Sequence, residues 1–265
     1  MKLIDIGINL MSSSYDRDRD DVVKAAAAMG VSPLIVTGSG ERSSLDAALY
    51  ASSCNAVKPG TLYTTAGVHP HEVKNCGNDT IDFLRELVCE KGARAIGECC
   101  LDYNRDFSPR DVQRRWFVKQ IELAAELSMP LFLHERDAFA DFSIILGGHI
   151  KTVPAAVVHC FTGTGEELDH YLSMGCYIGI TGWICDERRG KHLRELVKNI
   201  PKDRLMLETD GPYLLPRDLP IKVKNKRNEP RFLPHIAETV ARCIGKEPEK
   251  LAREVFANTK RFFGI

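Results

Sequence analysis

Short runs of Ile, Val and Leu recur along the chain, and between them lie longer stretches with helical spacing of apolar positions. The runs are LIDIGI (3–8), PLIVTG (33–38), LYTTAGV (62–68), ARAIGE (93–98), PLFLHE (130–135), AAVVHC (155–160), YIGITG (177–182) and RLMLETD (204–210). The helical stretches are 18–29, 41–58, 79–91, 109–128, 137–148, 165–174, 188–199 and 234–243. Ser108-Pro109 and Thr164 suit the cap and first-turn positions of two of them. The apolar runs are continuous rather than alternating, as strands are when both faces are covered. Eight strands alternating with eight helices predict parallel βαβ units, and that count in 265 residues predicts one α/β domain over 1–265, a TIM (β/α)8 barrel. A doubly wound open sheet is the alternative. It calls for a glycine-rich phosphate turn after the first strand, where this chain has DIGINLMSSS and no G-x-G-x-x-G.

A barrel carries its chemistry where strands end and βα loops begin. Here the third run leads into Gly67-Val68-His69-Pro70-His71, the fourth ends in Glu98, and the fifth ends in His134 with Arg136 and Asp137 beyond. The sixth ends in His159 and the eighth in Glu208-Thr209-Asp210. A carboxylate at the end of a buried strand loses hydration and needs a partner to stay ionised. Two imidazoles and two carboxylates at one rim suit a divalent cation with a position left for water. Each residue also has a plainer use: His69 as a hydrogen-bonded structural histidine, Glu98 as the ion-pair partner of Arg136, and Asp210 as a loop cap. Their arrival at the same end of four strands favours a site. His71, His149, His170 and His192 fall in loops or helical patterns and read as structural, and Cys99, Cys100 and Cys160 read as packing residues.

Composition narrows the partners. Lys plus Arg and Asp plus Glu both number 36, so no general basic field exists and an anion has to be held by a local patch. Such a patch lies at 217–231, where Arg217, Lys222, Lys224, Lys226, Arg227 and Arg231 face only Asp218 and Glu229. Phe161, Trp183 and Tyr213 fall near the same rim, and rings beside cations suit single-stranded nucleic acid. A solvated basic loop over core aromatics is the plainer alternative. The nine cysteines form no C-x-x-C pair, which fits a reducing compartment. The N-terminal segment turns acidic too early for a signal peptide, and no apolar run reaches membrane-spanning length. A cytoplasmic protein without membrane contact, acting as a monomer, is expected.

The runs DIGINL (5–10), GVHPH (67–71), AIGECCLD (95–102), LFLHERDA (131–138), VVHCFTGT (157–164), YIGITGWICDERRG (177–190), LETDGPYLLPR (207–217), RNEP (227–230) and NTKRFFGI (258–265) together resemble the TatD family of metal-dependent nucleases, within the amidohydrolase-like barrels. The resemblance implies a 3′–5′ exonuclease on single-stranded DNA and RNA, dependent on magnesium and active in DNA repair. It maps the metal ligands onto Glu98, His134 and His159, with Asp210 at the fourth place as the catalytic carboxylate. His69 and Arg136, and Arg227 and Asn228 of the RNEP run, are then expected to hold the substrate. The chain departs from the family pattern at Gly7 and Asn9, where many members carry His-x-His, so one tight cation is expected, with Mg2+ or Mn2+ favoured over Zn2+. Cys100, Glu135 and Gly211 are further departures. The same rim admits two other functions: hydrolysis of an ester such as aminoacyl-tRNA, and metal-dependent binding of nucleic acid without cleavage.

Overall fold

In the computed structural model, which describes residues 1–265, eight parallel strands follow one another around a barrel. They are β1 (Leu3–Ile8), β2 (Val31–Val36), β3 (Leu62–Thr64), β4 (Ile96–Asp102), β5 (Leu131–Arg136), β6 (Ala156–Val158), β7 (Tyr177–Ile180) and β8 (Leu205–Leu207). β1 to β3 pair in sequence order, and so do β4 to β8. Two narrow seams close the ring through the parallel bridges Ala66–Ile96 and Ile8–Gly211. At these seams the Gly97 N–H donates to the Ala66 carbonyl and the Asp210 N–H to the Gly7 carbonyl, each at 2.9 Å.

The outer ring contains α1 (Arg19–Ala28), α2 (Glu41–Val57), α3 (Thr80–Cys89), α4 (Arg110–Glu126), α5 (Phe139–His149), α6 (Gly165–Ser173), α7 (Lys191–Leu196), α8 (Leu233–Cys243) and α9 (Pro248–Phe263). Thr164 caps α6 in a full capping box with Glu167. Ser108 does not cap α4, because its hydroxyl donates to the His71 carbonyl at 2.9 Å and Pro109 takes the cap position. α7 is shorter than expected. Asp186 accepts from the Arg188 N–H at 2.8 Å and also binds its guanidinium, which folds 186–190 into a turn ahead of the helix. The ninth helix is absent from the periodicity reading, since PEKLAREVFANTKRFF is mostly polar. Its one-sided burial of Leu251, Ala252, Val255, Phe262 and Phe263 makes it part of the core.

That core has two parts. The larger fills the space between strands and helices, while Ile4, Ile6, Ile35, Ala95, Phe132, Val157, Tyr177 and Met206 pack with Phe262 and Phe263 in a smaller one. The end of α9 thus plugs the barrel opposite the strand ends that carry polar residues. Phe263→Ala is expected to destabilise the fold by about 3 kcal/mol through loss of apolar burial and a cavity at the plug, read as a lower urea midpoint at unchanged slope.

Candidate active site

Glu98 is expected at the end of its strand, but it is the third residue of β4, which continues to Asp102. The pairing register slips between Ile96–Leu131 and Cys99–Leu133, so three steps on β4 face two on β5. This is a bulge, the device by which a strand re-aims a side chain. Gly97 supplies it, with φ +140 and its α-carbon so close to β5 that a Cβ would fall 2.1 Å from the Phe132 carbonyl. Cys100 follows at φ +116, a backbone region that favours glycine.

The bulge puts Glu98 Oε1 at the focus of three imidazoles. His159 Nε2 lies 2.9 Å away, His134 Nδ1 3.1 Å and His69 Nε2 3.4 Å. Single donor atoms of His69, Glu98 and His134 all fall within 4.8 Å of one another, while His159 meets Glu98 from the Glu208 side. The structure therefore brings together all three expected ligands and adds His69, which was assigned to the phosphate. Arg136 is exposed and makes no ion pair with Glu98, which removes the plainer reading of that carboxylate. Asp210 stands beyond β8 at φ +54, and its Oδ1 accepts from Asn9 Nδ2 at 3.0 Å.

Several partners emerge from the fold. Asp102 Oδ2 receives His134 Nε2 at 3.2 Å and His71 Nε2 at 2.8 Å, so His71 belongs to the site and is no bystander. Its ring also stands edge-on to His69, with centroids 4.2 Å apart. Glu208 is wholly buried, accepts from the Cys160 N–H at 2.6 Å and lies 3.3 Å from His159 Nδ1. Asp5 accepts from the Thr209 N–H at 2.9 Å and from its hydroxyl, which steadies the turn that carries Asp210. Phe132 stacks on His159, centroids 4.7 Å apart, and floors the site. Glu135, an unexplained departure, accepts from the Ala138 N–H at 2.7 Å at the start of α5 and from the Tyr171 hydroxyl at 2.8 Å.

Asp5, Glu98, Asp102, Glu208 and Asp210 are thus gathered at one rim, and none of them pairs with a lysine or arginine. Burial alone would raise Glu98, but the facing His69 and His159 outweigh it and hold it well below the usual carboxylate range. Burial pushes Asp210 up to about 8, with the charges of Glu98 and Glu208 adding to the effect. Burial would lower His159, but Glu208 and Glu98 raise it well above its usual value, so an imidazolium neutralises part of the acid cluster. Burial takes His69 down to about 3, so it stays neutral. Nitrogen and carboxylate donors without fixed cations are the donor set of a divalent cation.

The basic strip divides in two. Lys222, Lys224 and Lys226 are exposed. Arg227 is already engaged by Asp18 at 2.6 Å, Glu229 at 2.8 Å and the Ser14 carbonyl at 2.6 Å, with its guanidinium 4.7 Å from the Tyr15 ring centroid. Asn228 has 0 % exposure, donates to the Thr209 carbonyl at 2.8 Å and accepts from the Glu229 N–H at 2.9 Å. Both were expected to touch substrate. In the structure they fasten the loop and brace the turn behind Asp210. Tyr213 stands free at the rim, 59 % exposed.

Known proteins match this architecture. A protein from Erwinia billingiae named 3′-5′ ssDNA/RNA exonuclease TatD is 49 % identical over 263 residues, covering 99 % of each chain. The protein of that name from Escherichia coli K12 is 47 % identical over 266 residues, again covering 99 % of each. A crystal structure of a TatD family hydrolase from Entamoeba histolytica superposes with TM-score 0.90 at 28 % identity, over 99 % of this chain and 98 % of that one. The family described as TatD related DNase matches residues 4–264, and the chain belongs to it.

Proposed function

We propose that this chain is a cation-dependent exonuclease that removes nucleotides from the 3′ end of single-stranded DNA and RNA. The observation that carries the reading is the convergence of three imidazoles on the buried Glu98 carboxylate, in an acid-rich rim without lysine or arginine. Relatives named for this activity along 99 % of their length support it.

Glu98, His134 and His159 would hold the cation, with Asp210 as a further oxygen donor and His69 against the same Glu98 oxygen. A divalent cation bound there supplies Lewis acidity toward a phosphoryl oxygen and acidifies water. Asp210 would accept the proton of the attacking water once a bound cation has displaced the proton that burial leaves on it. Asp102 keeps His134 and His71 oriented, as carboxylates behind ligating histidines do. Arg136, exposed beside the rim, takes a phosphate oxygen through its planar fork. Lys222, Lys224 and Lys226 attract the backbone, and Tyr213 offers a face for a base. Magnesium fits the oxygen-rich side formed by Asn9, Glu208 and Asp210. The nine free cysteines agree with work in a reducing cytoplasm, where turnover and repair of nucleic acids is the matching role. No helix is long and apolar enough to cross a membrane, and the chain is taken to act as a monomer.

The test is digestion of a 5′-labelled single strand with magnesium, then with chelator. A ladder shortening from the 3′ end and abolished by chelator is expected. An intact strand under magnesium and manganese, with amino acid released from charged tRNA, would replace this reading by ester hydrolysis.

Cation affinity is expected to fall steeply in acid. Without a cation Asp210 keeps a proton up to about pH 8 and His159 stays charged well above its usual value, so binding must displace both. Each displaced proton lowers affinity about tenfold per pH unit below the group's own value. From pH 8 to pH 6 the manganese affinity should therefore drop about 10²–10⁴-fold. Calorimetry in two buffers of different ionisation enthalpy checks this by counting the protons released.

A further inference from the structure

A second set of ligand-type side chains meets outside the rim described above. Cys185 ends the 3₁₀ turn Gly182–Cys185 that follows β7, Asp218 opens the basic loop, and His235 lies in the first turn of α8. One donor atom from each lies within 4.8 Å of the others. His235 Nε2 stands 2.6 Å from Asp218 Oδ1. Cys185 is fully buried, whereas the His235 and Asp218 side chains keep 18 % and 36 % of their exposure. The cluster is dry behind the sulfur and open to water in front.

An independent feature points into the same place. Thr239 follows His235 by four residues on α8, so both lie on one face of the helix. The Thr239 hydroxyl, buried on that face, turns to the Cys185 thiol and meets no other polar side chain.

We infer that Cys185, Asp218 and His235 form a second cation site, selective for zinc, that fastens the start of the basic loop to α8 and to the turn after β7. A thiolate, an imidazole and a carboxylate are zinc donors, and three of them leave a fourth, tetrahedral position for water next to the Thr239 hydroxyl. Sulfur makes the choice of metal: magnesium avoids thiolate, while zinc prefers it. Ligand atoms around tetrahedral zinc stand about 3.3–3.8 Å apart. Asp218, on an exposed loop, has to open its 2.6 Å contact to His235 by under about 1 Å to reach that spacing. Burial pushes the Cys185 thiol up to about 12, so binding exchanges its proton for the metal, and the proton leaves to solvent.

The site has a mechanical consequence. The far end of the loop is already held by Arg227 on Asp18 and Glu229. Its near end is held by the exposed Asp218–His235 contact, by Asp218 against the Cys185 thiol and by Arg217 at 3.8 Å from Asp186. Zinc would secure that end, with Lys222, Lys224 and Lys226 strung between two anchors.

The test uses the full chain with its catalytic rim disabled by Glu98→Ala, stripped of metal and then dialysed against zinc in a large excess of magnesium. One zinc retained per chain, by elemental analysis, is the expected result. Adding Cys185→Ser, or the exposed-loop change Asp218→Ala, should weaken retention at least about 100-fold. Cobalt in place of zinc should give a thiolate-to-metal charge-transfer band that survives Cys160→Ser and disappears in Cys185→Ser. Cys160 is the proper control because its sulfur lies nearer the catalytic rim, 3.8 Å from Thr181 Oγ1. Circular dichroism establishes that each variant is folded, and Asp218→Ala with His235→Ala decides the matter if Cys185→Ser does not fold. No zinc retained in the Glu98→Ala chain, or a cobalt band that follows Cys160 rather than Cys185, would overturn the proposal. None of these readouts depends on nuclease activity.

Discussion

Glu98→Gln is expected to lower nuclease turnover about 10³–10⁴-fold while the barrel stays folded. The substitution keeps the volume and removes the charge. In the native site the Oε1 atom faces imidazole nitrogens at 2.9, 3.1 and 3.4 Å, so this one oxygen organises three rings. An amide there has no negative charge to hold a divalent cation, and its NH2 would face nitrogens that must stay free to ligate. The rest of the network survives the change. His134 keeps Asp102 at 3.2 Å, and His159 keeps Glu208 at 3.3 Å. The fold should therefore persist and the defect should lie in the chemistry. Steady-state rates on a labelled single strand, together with calorimetric cation binding and a thermal melt, separate these effects. Native turnover with native cation affinity would remove Glu98 from the centre of the reaction.

The barrel was legible because most strands carry successive apolar residues, a pattern that helices on one side and a filled interior on the other produce. Glu98, His134 and His159 were legible because each ends or nearly ends an apolar run. Asp102 was not. The sequence Cys99-Cys100-Leu101 continues the apolar run past Glu98, and only the bulge at Gly97 shows that β4 has two carboxylates to deliver. His71 looked like a loop residue, since nothing local reports a partner 31 positions away. Arg227 and Asn228 mark a different limit. A charge count describes a strip but not whether its guanidinium is already bound or its amide already buried.

Gly7 and Asn9 gain a physical account in the same way. A Cβ on Gly7 would fall 2.5 Å from Glu208 Oε2, so the buried glutamate occupies the space a larger side chain would need. Asn9 meanwhile donates to Asp210. The histidine pair common on this strand in the family is thus replaced by a linked set of acid and amide groups. Restoring a histidine at position 7 would require the Glu208 carboxylate to shift from its contacts with His159 and the Cys160 N–H.

Asp210→Asn is expected to cut kcat about 10²–10⁴-fold, the range for losing a general base, measured at saturating cation so that any loss of affinity for the cation does not enter. The backbone fixes the position: the Asp210 N–H donates to the Gly7 carbonyl at 2.9 Å and its own carbonyl accepts from the Tyr213 N–H at 3.0 Å. Oδ1 is held by Asn9 at 3.0 Å, an acceptor role that an amide oxygen also fills, so the variant keeps its orientation. What the amide cannot do is take a proton. The pH profile then separates catalysis from positioning. In the native enzyme, protonation of Asp210 on the acid side should switch turnover off, and saturating cation should move that limb below the value of about 8 set by burial in the cation-free site. If Asp210 is the base, the variant loses that limb and its residual rate becomes flat or follows hydroxide. If the carboxylate only positions neighbours, kcat falls but the acid limb remains, because some other group still carries the proton.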